Sequence, residues 1–283
     1  CQIMLITSQN ELSISDLFKD DIQLSSPPTV YFNLQKSIED PSKSLADAAF
    51  IIEKDTSLSL KLLKIVNSAF YGFPSKITSI NQAINLIGTK ELQSITLSTI
   101  VIDKFSDLPG GLISMQDFWE RSLRCALIAQ GIDRFLGKRY ADSIFICGIL
   151  HNVGQLVFFR RLPELSREIN LMLQAQEHVL PDDEVTVEQS IIGFDHYQTG
   201  AALTALWRLP EIITKSISTH SEPDTINRHH EIASIIRFAD YYSKLDRDNN
   251  EIDINNTKIS PVNMSAIITE SLEAFDDILK AFI

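Results

Sequence analysis

Apolar residues recur along this chain at the three-and-four spacing of helices that bury one face. Ile80, Ala83, Ile84 and Ile87 fall at i, i+3, i+4 and i+7, opened by Ser79 with Gln82 three residues on and closed by Gly88. That pattern predicts a short amphipathic helix with both ends marked. The preceding segment repeats the logic: Leu58, Leu62, Ile65, Val66 and Ala69 share one face, and Ser44 with Asp47 introduces a helix of Ala46, Ala49 and Ile52. Thr89 is expected to cap a run through Leu92, Ile95 and Thr99 to about Phe105, and a longer helix is expected over 115–136. Further helices are predicted over 141–159, 163–176, 185–192, 197–207, 210–219, 232–245 and 264–282. No segment of any length alternates with period two, so little or no sheet is expected, and the Asp- and Asn-rich stretch 246–257 reads as a solvated loop. Asp107-Leu108-Pro109-Gly110-Gly111 is the strongest loop signal, which predicts a seam there. The expected fold is all-α in two parts, residues 1–108 as an N-terminal helical subdomain and residues 109–283 as a second one packed on it.

With 283 residues, 44% of them hydrophobic, the chain can bury a large core without a disulfide or structural metal. Its formal net charge is -12, and no Lys/Arg run exceeds two residues (Lys138-Arg139, Arg160-Arg161), so its field repels phosphate backbones and anionic lipid. Nucleic acid and membrane are therefore not expected as partners. The three cysteines are odd in number, and Cys125 and Cys147 sit in apolar helical patterns, which points to a reducing cytosol. The chain contains no stretch of roughly 18 apolar residues and opens with no signal-like segment. It starts with Cys1 rather than Met, but nothing else looks exported, so a cytoplasmic location is expected and a lipoprotein is not.

The second half carries dispersed residues of metal-ligand type: His151 with Asn152, His196 after Asp195, His220 and Asp240. Their spacing is too long for sequence alone to bring them together. Gly148-Ile149-Leu150-His151-Asn152-Val153-Gly154 resembles the LHDxG centre of HD-domain phosphohydrolases, with Asn in place of Asp. Phe194-Asp195-His196-Tyr197-Gln198-Thr199-Gly200-Ala201 and the segment from Leu209-Pro210-Glu211 to Thr219-His220 are similar to two further segments of those proteins, and Asp240 stands where their terminal ligand falls. Ile65-Val66-Asn67-Ser68-Ala69-Phe70-Tyr71-Gly72 and the helix ending at Gly88 resemble the VNSAxYG and INxAIxxLG elements of HDOD domains, the HD-related output domains of bacterial signalling proteins. The resemblance covers roughly residues 22 to 245, five segments in the family's order. It implies an HD-like helical bundle behind the N-terminal subdomain.

The departures from an active HD site matter as much as the matches. Such an enzyme holds one or two divalent ions on an early His, the His-Asp pair and a later Asp, and uses them to activate water against a phosphoester. Arg121 stands where the resemblance puts the first His, and a guanidinium has no lone pair to give a cation. Asn152 replaces an anionic ligand by a neutral amide, and Gln155 stands where many HD proteins have Lys. The degenerate positions are thus Arg121, His151, Asn152, His196, His220 and Asp240. No catalytic residue, no metal and no cofactor are expected; were a metal held, His151, His196, His220 and Asp240 would hold it. Arg121 is expected to fill the vacated volume and pair with Asp240.

Plainer roles stand beside these. His151, His196 and His220 read also as satisfied core histidines, and His229-His230 as an exposed pair near a helix start. Asn67 and Ser68 are expected to tie the loop through Tyr71 and Gly72, while Trp119, Trp207, Phe158 and Phe159 read as core. Two short helices meeting at Asp55-Thr56-Ser57 resemble a DNA-reading pair, but the second offers only Lys61 and Lys64 and suits a core better than a groove. The resemblance implies a non-catalytic signalling module that acts through contacts with other signalling proteins, including cyclic-dinucleotide turnover and two-component proteins. Two alternatives stand: a residual metal-dependent phosphohydrolase on a nucleotide or cyclic dinucleotide, and a ligand sensor using the inherited pocket. No GGDEF, EAL or receiver pattern is visible.

Overall fold

The computed structural model describes residues 12–108, 114–175, 181–220, 228–244, 252–254 and 257–282. After a short 3-10 turn, Ile14–Phe18, the first part runs through α1 (Ile22–Ser25), α2 (Thr29–Glu39), α3 (Leu45–Glu53), α4 (Thr56–Val66), α5 (Ile80–Ile87) and α6 (Thr89–Lys104). The second runs through α7 (Met115–Phe135), α8 (Ile144–Leu150), α9 (Val153–Arg161), α10 (Pro163–Gln174), α11 (Pro181–Ile192), α12 (His196–Leu206), α13 (Glu211–Ser218) and α14 (Arg228–Lys244). A small antiparallel hairpin, β1 (Ile252–Ile254) on β2 (Thr257–Ile259), leads into α15 (Pro261–Leu272) and α16 (Phe275–Phe282). The fold is all-α apart from this hairpin.

Short polar side chains start many of these helices by accepting backbone N–H groups that the first turn leaves unpaired. Ser44 caps α3, Asp55 caps α4, Ser79 caps α5, Ser114 caps α7, Asp195 caps α12 and Ser260 caps α15. Thr89 is not the cap of α6 but its first helical residue, because Gly88 at φ 84° turns the chain between α5 and α6 and takes that position itself. Two expected helices are broken. The run 141–159 divides at His151 and Asn152 into α8 and α9, and the run 264–282 divides between Leu272 and Phe275 into α15 and α16. The expected loop 246–257 contains β1 and the first residue of β2, where the β-branched Ile252 and Ile254 in one strand and Thr257 and Ile259 in the other alternate over too few residues to stand out from the surrounding Asp and Asn. The central residues of the expected seam, 109–111, lie outside the described residues.

One apolar core runs from Leu17 to Phe282 and takes in both parts of the chain. The long α7 is its axis, packed on α8, α14 and α15, while α12 packs on α9 and α13. The last helix, α16, returns to pack on α4 of the first part. Trp207 is fully buried and its Nε1–H donates to the carbonyl of Leu24, 2.7 Å away. Arg160 Nε lies 2.7 Å from Asp21 Oδ2, and Asp21 also caps α1. Trp119, Phe158 and Phe159 are buried, as are the free thiols Cys125 and Cys147. No described helix is long and apolar enough to cross a membrane.

Candidate functional site

Two glycines let the site close. A Cβ on Gly148 would meet Ala126 Cα at 2.5 Å, so glycine alone lets α8 press against α7 at this point. A Cβ on Gly154 would lie 1.9 Å from the carbonyl oxygen of His196 and 2.7 Å from Gly200 N, so α9 and α12 also meet backbone to backbone. His151 and Asn152 form the turn between these two contacts. The break in the expected helix therefore sets His151 between Arg121 on α7, Asp240 on α14 and the start of α12.

Asp240, 1% exposed, is the centre of the arrangement. Its Oδ1 lies 3.2 Å from Arg121 Nε and 3.1 Å from His151 Nε2, and its Oδ2 lies 2.8 Å from Lys244 Nζ. The expected pairing of Arg121 with Asp240 is thus present in the structure. Burial pushes the Asp240 carboxyl up, but Arg121, His151 and Lys244 outweigh it and hold the group well below the usual carboxylate range. The Arg121 side chain is 31% exposed overall, yet its Nη2 is enclosed and has no hydrogen-bond partner.

The histidines differ from one another. His151 Nδ1 is 2.7 Å from the carbonyl oxygen of Gly148, an acceptor only, so this nitrogen carries a proton. Its Nε2 faces Asp240 off the line of a hydrogen bond. His220 follows α13, its ring stacked on Tyr197 at 4.3 Å between centroids and 5.7 Å from that of His151. Burial, reinforced by His151, pushes His220 well below the usual imidazole range, and its Nδ1 is enclosed without a partner. His196, the first residue of α12, is held instead by Glu188 of α11: its backbone N–H and its Nδ1 lie 2.8 and 2.7 Å from Glu188 Oε2. Asn152 Oδ1 is buried without a partner, and Gln155 Nε2 donates to Glu184.

The structure therefore gathers Arg121, His151 and Asp240 directly, adds His220 beside His151, and reaches His196 through Tyr197. Among the described residues, no three His, Cys, Asp or Glu groups stand where they would hold a metal ion. The side chains of His229 and His230 lie outside the described residues. Three contributors were not anticipated from the sequence: Lys244, Glu188 and Tyr197. Lys244 was readable in principle, four residues after Asp240 on one helix face. Nothing in the sequence singles out Glu188.

The HDOD domain family model matches residues 24–223. The chain is a member of the HDOD family. Among curated proteins, this HDOD chain is 30% identical over 244 residues to an uncharacterized protein of Treponema pallidum, spanning 84% of the chain and 45% of that protein. It is 29% identical over 171 residues to the uncharacterized protein YuxH of Bacillus subtilis, spanning 59% of the chain and 38% of YuxH. The HDOD chain thus spans about half the length, or less, of the curated relatives it matches. Among solved structures it is similar to an HDOD domain protein of unknown function from Geobacter sulfurreducens, at 22% identity and TM-score 0.68 over 90% of this chain and 87% of that one. It is also similar to a Shewanella amazonensis protein described as a candidate phosphohydrolase, at 18% identity and TM-score 0.74 over 93% and 99%. At such identities the likeness shows the fold alone.

Proposed function

We propose that this HDOD chain is a non-catalytic regulatory module of a bacterial signalling system, working in the cytoplasm through contacts with other signalling proteins. The observation that carries the reading is the guanidinium of Arg121 on Asp240. Where an HD hydrolase would use the carboxylate as an anionic ligand, here one oxygen faces Arg121 and His151 and the other faces Lys244. A divalent ion placed beside it would meet two fixed positive charges at close range. The residues present do not fit a catalytic metal centre. With Arg121 and Lys244 drawn to Asp240, the geometry supports a helical scaffold whose output is its surface. Cyclic-dinucleotide turnover and two-component proteins are the partner classes that the family resemblance suggests.

Metal analysis and phosphoester turnover test the reading together. Protein purified without chelator should carry no stoichiometric iron, manganese or zinc and should release no phosphate from nucleotides or cyclic dinucleotides. The double variant Arg121→His with Asn152→Asp, which supplies the missing imidazole and carboxylate, should gain divalent-ion binding. A wild-type protein with a stoichiometric ion and phosphate release would instead be a phosphohydrolase, with His151, His196, His220 and Asp240 as the candidate ligands.

A further inference from the structure

A cleft of about 250 Å³ opens where α2 and α6 of the first part meet α8 and the start of α13. It is separate from the Arg121–Asp240 site and shares no residue with it. Tyr31 and Gln93 line the cleft and are only 6% and 8% exposed. Neither the Tyr31 hydroxyl nor the Gln93 carboxamide makes a hydrogen bond to another described residue. Neither polar end is fully enclosed, so both open onto the cleft, where water or an occupant supplies their partners.

The chemistry of the walls narrows what that is. The volume lies below the roughly 300–1,000 Å³ of sites for drug-sized molecules, so it admits a one- or two-ring system and little more. Ile146 and Ile213 are buried in the wall and offer apolar surface to a ring. A carboxamide presents a donor and an acceptor side by side, which matches the ring-nitrogen and amine edge of a nitrogen heterocycle. Burial and the nearby Glu39 carboxylate push the Tyr31 phenol up to about 12, so its hydroxyl remains a neutral donor. At the mouth stand Glu39 and Asp142 against Lys90, a net charge of minus one that repels phosphate.

We propose that this cleft binds a neutral nitrogen heterocycle of nucleobase size, read by the Gln93 carboxamide and the Tyr31 hydroxyl. The inference goes beyond the proposed function and does not depend on it. It supplies an input for such a module. Ile146 lies on α8, which runs into His151, and Ile213 lies on α13, which leads to His220, so an occupant touches the two helices that end at those histidines.

Titration calorimetry and ligand-observed NMR on the whole chain test it, using adenosine, guanosine, cytidine and uridine beside their 5′-monophosphates. At least one nucleoside should bind with a Kd below about 1 mM, and its monophosphate should bind more weakly. Gln93→Leu should weaken that binding at least about tenfold, with little change in Tm, because the amide holds nothing in the protein. Tyr31→Phe removes only the hydroxyl and should weaken binding in the same sense, which keeps the test decisive if Gln93→Leu misfolds. Failure of all four nucleosides to bind, binding unchanged in both variants, or tighter binding of the monophosphates would each overturn the proposal.

Discussion

Glu188 Oε2 lies 2.7 Å from His196 Nδ1 and 2.8 Å from the backbone nitrogen of the same residue, so one buried carboxylate oxygen holds both the ring and the start of α12. Burial works against a charge on His196, but Glu188 outweighs it and raises the imidazole above its ordinary value. Burial raises Glu188 as well, with His196 opposing. A raised folded-state pKa contributes stability that is complete below the ordinary histidine value of about 6.5 and is lost as pH climbs through the folded value. Glu188 has the same sign.

The melting temperature of the wild type should therefore fall on going from pH 6.5 to pH 9, and Glu188→Gln should flatten that slope. Calorimetry at several pH values measures both. An unchanged slope in the variant would remove Glu188 from the account. On the acid side, the depressed His220 acts in the opposite sense and costs stability as pH drops below about 6.5.

Removing one partner from the Asp240 cluster leaves the others facing each other. Asp240→Ala should cost about 3–5 kcal/mol, since Arg121 and Lys244 would then stand uncompensated. Arg121→Ala should cost less, about 1–2 kcal/mol, because that side chain is partly exposed and Lys244 still meets the carboxylate. Urea unfolding of the two single variants and the double should give a coupling energy of about 1 kcal/mol or more. Strict additivity would mean that the pair contributes nothing to the fold.

Gly154→Ala should be among the most damaging single-methyl changes in the chain. The added carbon meets the backbone of His196 and Gly200, neither of which can swing aside as a side-chain tip would. A loss of about 3 kcal/mol or more is expected, together with displacement of α12 from α9, readable as a drop in Tm. Gly88→Ala meets no atom within 4 Å, so it tests backbone strain alone at φ 84°, and its cost should be smaller.

Asn67 ties the loop after α4 as a backbone surrogate. Its Nδ2 donates to the carbonyls of Leu63 and Ile77 at 2.7 and 2.8 Å, and its Oδ1 accepts the Ile77 N–H at 2.8 Å. Asn67→Ala should cost about 1–3 kcal/mol. Asn67→Asp keeps the acceptor but turns a carboxylate oxygen toward two carbonyls, so it should not restore stability; equal melting temperatures for Asn67→Asp and the wild type would contradict this geometry.

Local signals carried most of the fold. Ser79, Gly88, Ser44 and Asp55 mark helix ends because capping depends on neighbours within four residues, and those neighbours are visible in sequence. The broken helix at His151 was not visible, since apolar residues continue through the break and its cause is the approach of His196 and Gly200 to Gly154 from over forty positions away. The same holds for the site. Residue types and family order marked Arg121, His151 and Asp240, and the expected contact between Arg121 and Asp240 spans 119 positions. Glu188 left no trace because a lone Glu on an amphipathic helix ordinarily faces water. The sequence pattern does not reveal α1 and α2 either. The four residues of α1 give periodicity little to work with, and α2 follows Pro27-Pro28 with no side-chain cap to mark its start.

The indole of Trp207 reaches back 183 residues to a carbonyl of α1, and α16 reaches further still, to α4. Contacts this remote in sequence close late in folding, so α12 to α16 must be synthesised before the earliest helices find their cover. A recombinant fragment stopped after residue 108 would display the uncovered faces of α1 and α4, and should be recovered as aggregate or bound to chaperones rather than as a free subdomain.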